Sequence, residues 1–278
     1  MTDTDRLEPP DGDDDGAFVR AFGRQLKLFR ERAGLTQAEL GKRLNYGPDL
    51  VAAVERGRRI AQPHMIDRAD EVLDAGGVLK AMKDEVARAR YPRFFRDAAR
   101  YEADAVEVHV YANHVVPGLL QTEEYARAVF HMRRPPLHED TIEQRVAARL
   151  ARQRLFSRSP TPSVSFVVEE VVLHRPLGGR DVLRRQLEHL LTIGRLPHVE
   201  FQVMPTSCEE HAGLGGPMTL LESPRQQRVA YLEVGNVSRI LTERAKVREL
   251  EVQYGIIRAQ ALGPRESLTF VEQLLGAS

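Results

Sequence analysis

The sequence predicts a multidomain molecule, an all-α N-terminal bundle followed by a mixed α/β (or α+β) C-terminal domain. Three observations carry this expectation. Between residues 17 and 90 apolar side chains recur at steps of three and four, the rhythm of amphipathic helices. From about residue 160, short apolar or alternating runs such as Val164-Ser-Phe-Val-Val168 and Val199-Glu-Phe-Gln-Val203 are mixed with helical stretches, as strands would be. The chain has 278 residues, more than one small helical module needs.

The helical part opens with Phe18, Phe22, Leu26, Phe29 and Ala33, spaced to line one face of a helix. Thr36 is a good N-cap, and Glu39 three residues on completes a capping box. Leu40 and Leu44 then face one core, with Gly41 offering a surface where a second helix can approach. Asn45 tolerates the left-handed backbone of a sharp turn, and Pro48 suits the first position of a new helix. That helix carries Leu50, Val51 and Val54 and is ended by Gly57. Pro63 starts another, with Met65, Ile66, Ala69 and Leu73 inward and Gly76-Gly77 closing it. Val78–Arg90 continues as helix. Two short helices around a tight turn, held in such a bundle, form the helix-turn-helix arrangement that sets one helix in the major groove of DNA.

Charge is distributed accordingly. The net charge of the chain is zero, yet residues 1–16 hold seven acidic groups against one arginine, a net of −6. Residues 17–65 hold ten basic groups against four acidic ones, a net of +6, the footprint expected of phosphate contacts. The acidic leader 1–16 reads as a disordered tail, either solvated and without a role or folding over the basic surface to compete with phosphate.

Beyond it, residues 91–278 form the expected second domain. Tyr91-Pro-Arg-Phe-Phe95 reads as a linker, and Val106, Val108 and Val110 as a strand or the end of a helix. Pro117-Gly118 breaks the chain, Thr122 caps a helix with Tyr125, Ala126 and Val129, and Thr141–Phe156 is a long basic amphipathic helix. Val164–Val168 and Val199–Val203 are strands on either side of an Asp181–Arg195 helix. Met218–Leu221 and Val229–Leu232 form a hairpin across Ser223–Arg228. Arg239–Leu262 and Glu266–Leu275 read as closing helices.

Cys208 is the one cysteine, so no internal disulfide forms, and no run of 18 apolar residues exists. The expected setting is cytoplasmic, away from membranes. Cys208 and His211 lie too close in sequence to read as a catalytic pair, and no metal-ligand spacing recurs. Gly213, Gly215 and Gly216 lack the Lys-Ser or Lys-Thr that a phosphate loop requires. No cofactor, metal or catalytic group is expected.

Arg32-Ala-Gly-Leu-Thr-Gln-Ala-Glu-Leu40 and Val54-Glu-Arg-Gly-Arg-Arg59 resemble the Cro/repressor-type module of the xenobiotic-response-element (XRE) family. Val116-Pro-Gly-Leu-Leu-Gln-Thr-Glu-Glu-Tyr-Ala-Arg-Ala128, Arg149-Leu-Ala-Arg-Gln153 and His211-Ala-Gly-Leu-Gly-Gly-Pro-Met218 resemble actinobacterial, antitoxin-like transcriptional regulators of the WhiJ/Scr type. The resemblance implies double-stranded DNA as one partner and a small protein encoded nearby as another. It places Thr36 and Gln37 beside a phosphate at a helix N-terminus, with Arg58 and Arg59 clamping the backbone farther along. Lys42 and Arg43 are weaker phosphate candidates.

The positions expected to face the bases are Tyr46, Pro48, Asp49, Ala52 and Ala53. Asp49 would accept from a cytosine amino group, and Ala52 or Ala53 would touch a thymine methyl. Tyr46 either meets DNA or packs on the first helix. This face lacks a bidentate reader, so specificity is expected to lean on DNA shape and on two half-sites read by a homodimer. Pro117, Gly118, Gln121, Glu169, His211 and Gly213 are the candidate partner or ligand surface. A small-molecule sensor is the alternative for the second domain, and a hydrolase dependent on Glu169 or His211 a third.

Overall fold

The computed structural model describes residues 14–88, 93–234 and 237–276. Two compact units divide the chain: Met1–Arg96 with His138–Arg145, and Asp97–Leu137 with Val146–Ser278.

The first unit is helical. Helices α1 (Asp14–Arg32), α2 (Gln37–Leu44), α3 (Pro48–Glu55), α4 (Pro63–Val72), α5 (Val78–Ala81) and α6 (Lys83–Arg88) follow one another. They enclose one core of Phe22, Leu26, Leu40, Leu44, Val51, Val54, Met65, Ile66, Leu79 and Val86, with Phe18, Phe29 and Leu50 packed at its edge. Burying such side chains stabilises by about 1.5–3 kcal/mol each, which is what keeps helices this short in place. Where α1 crosses α3, a methyl on Gly23 would run into the carbonyls of Val54 and Glu55, so the backbones touch without a side chain between them. Asp70 of α4 accepts from the amides of Gly77, Leu79 and Lys80 at 2.9, 2.9 and 3.1 Å, capping α5 from a distance.

Three expectations for this unit need correction. Asp14, Asp15 and Gly16 belong to α1 rather than to the tail, since acidic residues favour a first helical turn; residues 1–13 lie outside the described residues. Ala33 is exposed, because α1 stops at Arg32. Val78–Arg90 is not one helix: the chain turns at Met82, whose amide returns to Leu79 at 3.1 Å, and residues 89–90 lie outside the described residues.

The second unit is a mixed sheet covered by helices. Helix α7 (Arg93–Asp104), whose first residues through Arg96 belong to the first unit, leads to β1 (Glu107–Ala112), α8 (Glu123–His131), α9 (Glu139–Arg152, of which residues 139–145 belong to the first unit), β2 (Ser163–Glu169), α10 (Glu170–His174), α11 (Arg180–Gly194) and β3 (Val199–Met204). Then come β4 (Met218–Glu222), β5 (Arg228–Val234), β6 (Val237–Leu241), α12 (Arg244–Gln260) and α13 (Pro264–Gly276). The strands lie in the order β3-β2-β1-β4-β5-β6. The first three are parallel, and β4, β5 and β6 add antiparallel. One face buries Val108, Val164, Phe166, Val168, Phe201 and Val203 against Leu187 and Leu190 of α11 and Val271 of α13. The other buries Tyr111, Val167, Met204 and Leu220 against Val247, Tyr254 and Ile257 of α12. Burial on both faces explains why β2 reads as a nearly unbroken apolar run.

The predicted linker 91–95 is overtaken by α7 from Arg93, while Tyr91 and Pro92 lie outside the described residues. Val106–Val110, open between strand and helix end, falls largely in β1. The expected Arg239–Leu262 helix starts later, at Arg244. Residues 237–241 are instead β6, in register with β5 from Val234↔Val237 to Ala230↔Leu241. The helical rhythm of Val247, Tyr254 and Ile257 does not extend back to β-branched Val237 and Ile240, whose backbone is claimed by the sheet.

Replacing Asp70 with alanine leaves the Gly77 amide and two amides of α5, those of Leu79 and Lys80, without their acceptor. Thermal or chemical denaturation should show a loss of about 2 kcal/mol or more; a change within error would mean those amides find water instead.

Candidate functional site

The helix-turn-helix is built as its residues dictate. Thr36 Oγ1 accepts from the Glu39 amide at 3.2 Å, and Glu39 Oε2 accepts from the Thr36 amide at 2.7 Å, closing the capping box. The Thr36 amide first, and second the Thr36 hydroxyl, which also donates to Glu39 Oε2 at 2.7 Å, hold the Glu39 carboxyl below its ordinary value. Asn45 takes the left-handed conformation at φ 61°, and Pro48 occupies the first turn of α3. Gly41 serves the turn rather than a crossing helix: a methyl there would sit 2.7 Å from the Tyr46 carbonyl.

At its centre is a buried ion pair that the sequence reading missed. Arg30 and Glu55 are 7% and 6% exposed, deep enough that each needs a partner. The guanidinium donates to Glu55 Oε1 at 2.5 Å, to Oε2 at 3.0 Å and to the Leu35 carbonyl at 2.7 Å. Gln37 Nε2 adds a bond of 2.7 Å to Glu55 Oε2. The bond to Glu55 raises the Arg30 pKa against the opposing effect of burial. One network thus joins the end of α1, the start of α2 and the end of α3. A signal was present: Arg30 continues the buried series Phe22, Leu26 by four residues, and Glu55 follows Val51 by four.

Around this network the expected DNA-facing residues divide. Thr36, Pro48, Asp49, Arg58 and Arg59 are exposed, and Tyr46, Ala53 and Gln37 are half-buried. The Gln37 amide is engaged with Glu55. Ala52 contradicts the expectation: at 7% exposure it belongs to the buried side of α3, one position round from Val51, and cannot touch a base. The Ala53 carbonyl accepts the amides of Arg58 and Arg59 at 2.8 and 3.2 Å, so the chain folds back at the helix end. Arg58 also stands 3.9 Å from Asp140 of the same unit.

In the second unit the six expected residues fall into two groups. Pro117 and Gln121 are buried and do not form an open surface. Gln121 donates to the Val116 carbonyl at 2.6 Å and accepts from Arg149 at 2.7 Å, while its own carbonyl accepts from Gln153 at 2.6 Å. Half-buried Gly118 packs on Arg149 and Arg152. Fully buried Gln186 locks the same segment through the Thr122 amide and the Leu120 carbonyl, at 2.8 and 2.6 Å. This motif is internal scaffolding.

Glu169, His211 and Gly213 do come together, with Tyr111 as a fourth member that the sequence reading missed. Glu169 Oε1 accepts from the Tyr111 hydroxyl and from His211 Nε2, each at 2.7 Å. His211 Nδ1 accepts from the Gly213 amide at 2.8 Å, which leaves its proton on Nε2, facing Glu169. A side chain on Gly213 would overlap the Tyr111 ring. The group lies at the carboxyl ends of β1 and β2, beneath the segment that runs from β3 to β4. Burial, then the bond to Glu169, raises the Tyr111 pKa well above its ordinary value, so the phenol stays protonated. With Glu169 8% and Tyr111 2% exposed, the arrangement pins the segment to the sheet and offers little to a substrate. Among the described residues no group of three or more His, Cys, Asp or Glu side chains could hold a metal ion, and no helix is long and apolar enough to cross a membrane.

Comparison with known proteins follows the same division. A family model described as a helix-turn-helix domain matches residues 21–81, and one described as a domain of unknown function (DUF5753) matches residues 95–273. No curated protein and no solved structure matches the chain.

Two outcomes are expected of these groups. Arg30→Met strands a buried carboxylate and should cost about 3–5 kcal/mol, with Arg30→Met plus Glu55→Leu costing clearly less than the sum of the single changes. Additive losses in chemical denaturation would show that the two charges act independently. The second concerns alkaline pH. Burial raises the Tyr254 phenol from 10.0 to about 12, and Tyr111 and Tyr231 shift the same way. A raised pKa adds stability that is whole below pH 10 and is lost as pH rises through about 12. Tyrosinate absorbance from these residues should therefore rise together with unfolding; ionisation in a fold that stays intact would refute this.

Proposed function

The chain belongs to the family defined by that domain of unknown function (DUF5753), and on that premise we propose that it is a transcriptional regulator binding double-stranded DNA through its first unit. One observation carries the reading: a capped α2, a left-handed turn at Asn45 and a proline-started α3 whose far side leaves Pro48 and Asp49 exposed. The charge of residues 17–65, net +6 from ten basic and four acidic groups, supports it independently.

In this reading α3 lies in the major groove, Asp49 accepts from a cytosine amino group and Ala53 meets a thymine methyl. The start of α2 meets a phosphate through Thr36 and the Gln37 backbone. Tyr46 flanks the groove, and Arg58 and Arg59 hold the phosphates beyond the helix. A short α3 with few polar readers favours a homodimer on two half-sites, which doubles the contacts and adds their spacing as a criterion. The second unit then binds a partner rather than performing catalysis. A small protein, in an antitoxin-like arrangement, is the partner that the sequence resemblance suggests.

Changing Arg58 and Arg59 together to alanine should weaken binding to all sequences and reduce the slope of log affinity against log salt by about two. An unchanged slope, measured by titration across salt concentrations, would place those arginines away from the phosphates.

A further inference from the structure

We propose that Arg56 is a base-reading residue, a bidentate donor to a guanine about three base pairs from the pair met by Asp49. The inference rests on the DNA-binding reading above and supplies the reader that the sequence reading found missing.

Arg56 follows the last residue of α3 yet keeps helical geometry, with φ −83° and ψ −1°, and its amide bonds to the Ala52 carbonyl at 3.1 Å. Its side chain therefore continues the helical phase. Seven residues are nearly two turns, so Arg56 stands on the same side of the helix as Asp49, with Ala53 between them. Burial confirms this stripe: Val51, Ala52, Val54 and Glu55 are buried, Ala53 is half-buried, and Asp49 and Arg56 are exposed. At 1.5 Å per residue the two charged side chains are about 10 Å apart along the axis, or about three steps of a duplex.

Chemistry places the stripe against base edges rather than phosphates. A carboxylate at its head would repel the sugar-phosphate backbone, but finds a donor in a cytosine amino group. Phosphate contacts fall instead to Arg58 and Arg59, which have left the helix where their amides fold back on Ala53. Among the described residues the Arg56 side chain forms no ion pair, so its planar fork is uncommitted and matches the N7 and O6 acceptors of guanine.

The test is selection of binding sites from random-sequence duplexes by the full chain, its Arg56→Ala variant and its Arg56→Lys variant, each followed by salt titration. The wild type should select a guanine at one position about three base pairs from a preferred cytosine on either strand. Both variants should lose that preference alone, by about tenfold or more, while Arg56→Lys keeps the wild-type salt slope. An Arg56→Lys variant that selects like the wild type would overturn the proposal. So would an Arg56→Ala variant that binds all sequences more weakly with a slope shallower by about one, the signature of a phosphate contact. Salt-dependent wild-type binding without sequence preference overturns the role of Arg56 but not DNA binding, whereas no binding at all overturns both.

Discussion

The pairing of Arg30 with Glu55 is the constraint on which the first unit depends. Neither charge tolerates the interior alone, and each has its remaining hydrogen-bonding capacity met nearby, by the Leu35 carbonyl and the Gln37 amide. Three helices must therefore arrive in one relative position for the network to close. Hydrophobic burial by itself is permissive about rotation of a helix about its own axis; a two-pronged guanidinium facing a carboxylate is not. Gly23 adds a second restriction by letting α1 meet the carbonyls of Val54 and Glu55 directly. The side of α3 turned to solvent is fixed from within.

The second unit uses polar groups in the same way. Gln121 and Gln186 tie the segment after β1 to the surrounding helices, Glu102 holds Arg152 at 2.7 and 2.6 Å, and Glu169 fastens the segment between β3 and β4 through Tyr111 and His211. In open sheets the carboxyl ends of parallel strands are where ligands are commonly received. Here that region is spanned by the chain's own residues, and the acid and imidazole there bind each other. A carboxylate, a histidine and a glycine brought together thus have a structural account before any chemical one.

Legibility in the sequence followed the range of the interactions. The capping box, the turn at Asn45, the proline start of α3, and the strands β2, β3, β4 and β5 were all readable because local residues determine them. The Arg30–Glu55 pair was not, since it joins residues 25 apart, although both sit in the apolar rhythm where a charge is out of place. Tyr111 meets Glu169 across 58 residues and left no local signal. β6 was hidden because its strand character comes from pairing with β5, while the adjoining sequence carries a helical pattern. Ala52 was misplaced because a one-residue difference between an inward and an outward alanine depends on where the helix axis lies, which the network around Glu55 decides.

The Ala53 carbonyl accepts the amides of both Arg58 and Arg59. The helix that faces outward and the basic segment after it are consequently one rigid piece, without an intervening joint. In the DNA-binding reading proposed above, shifting that helix in a groove would carry the arginine backbone with it, so the protein would set the offset between the proposed base contacts and the proposed phosphate contacts, like the teeth of a key cut relative to its shoulder. On the same proposal, substitutions on the outward stripe would alter which bases are preferred while the footprint stays where it is. Such a part would let a new target be acquired without rebuilding the grip.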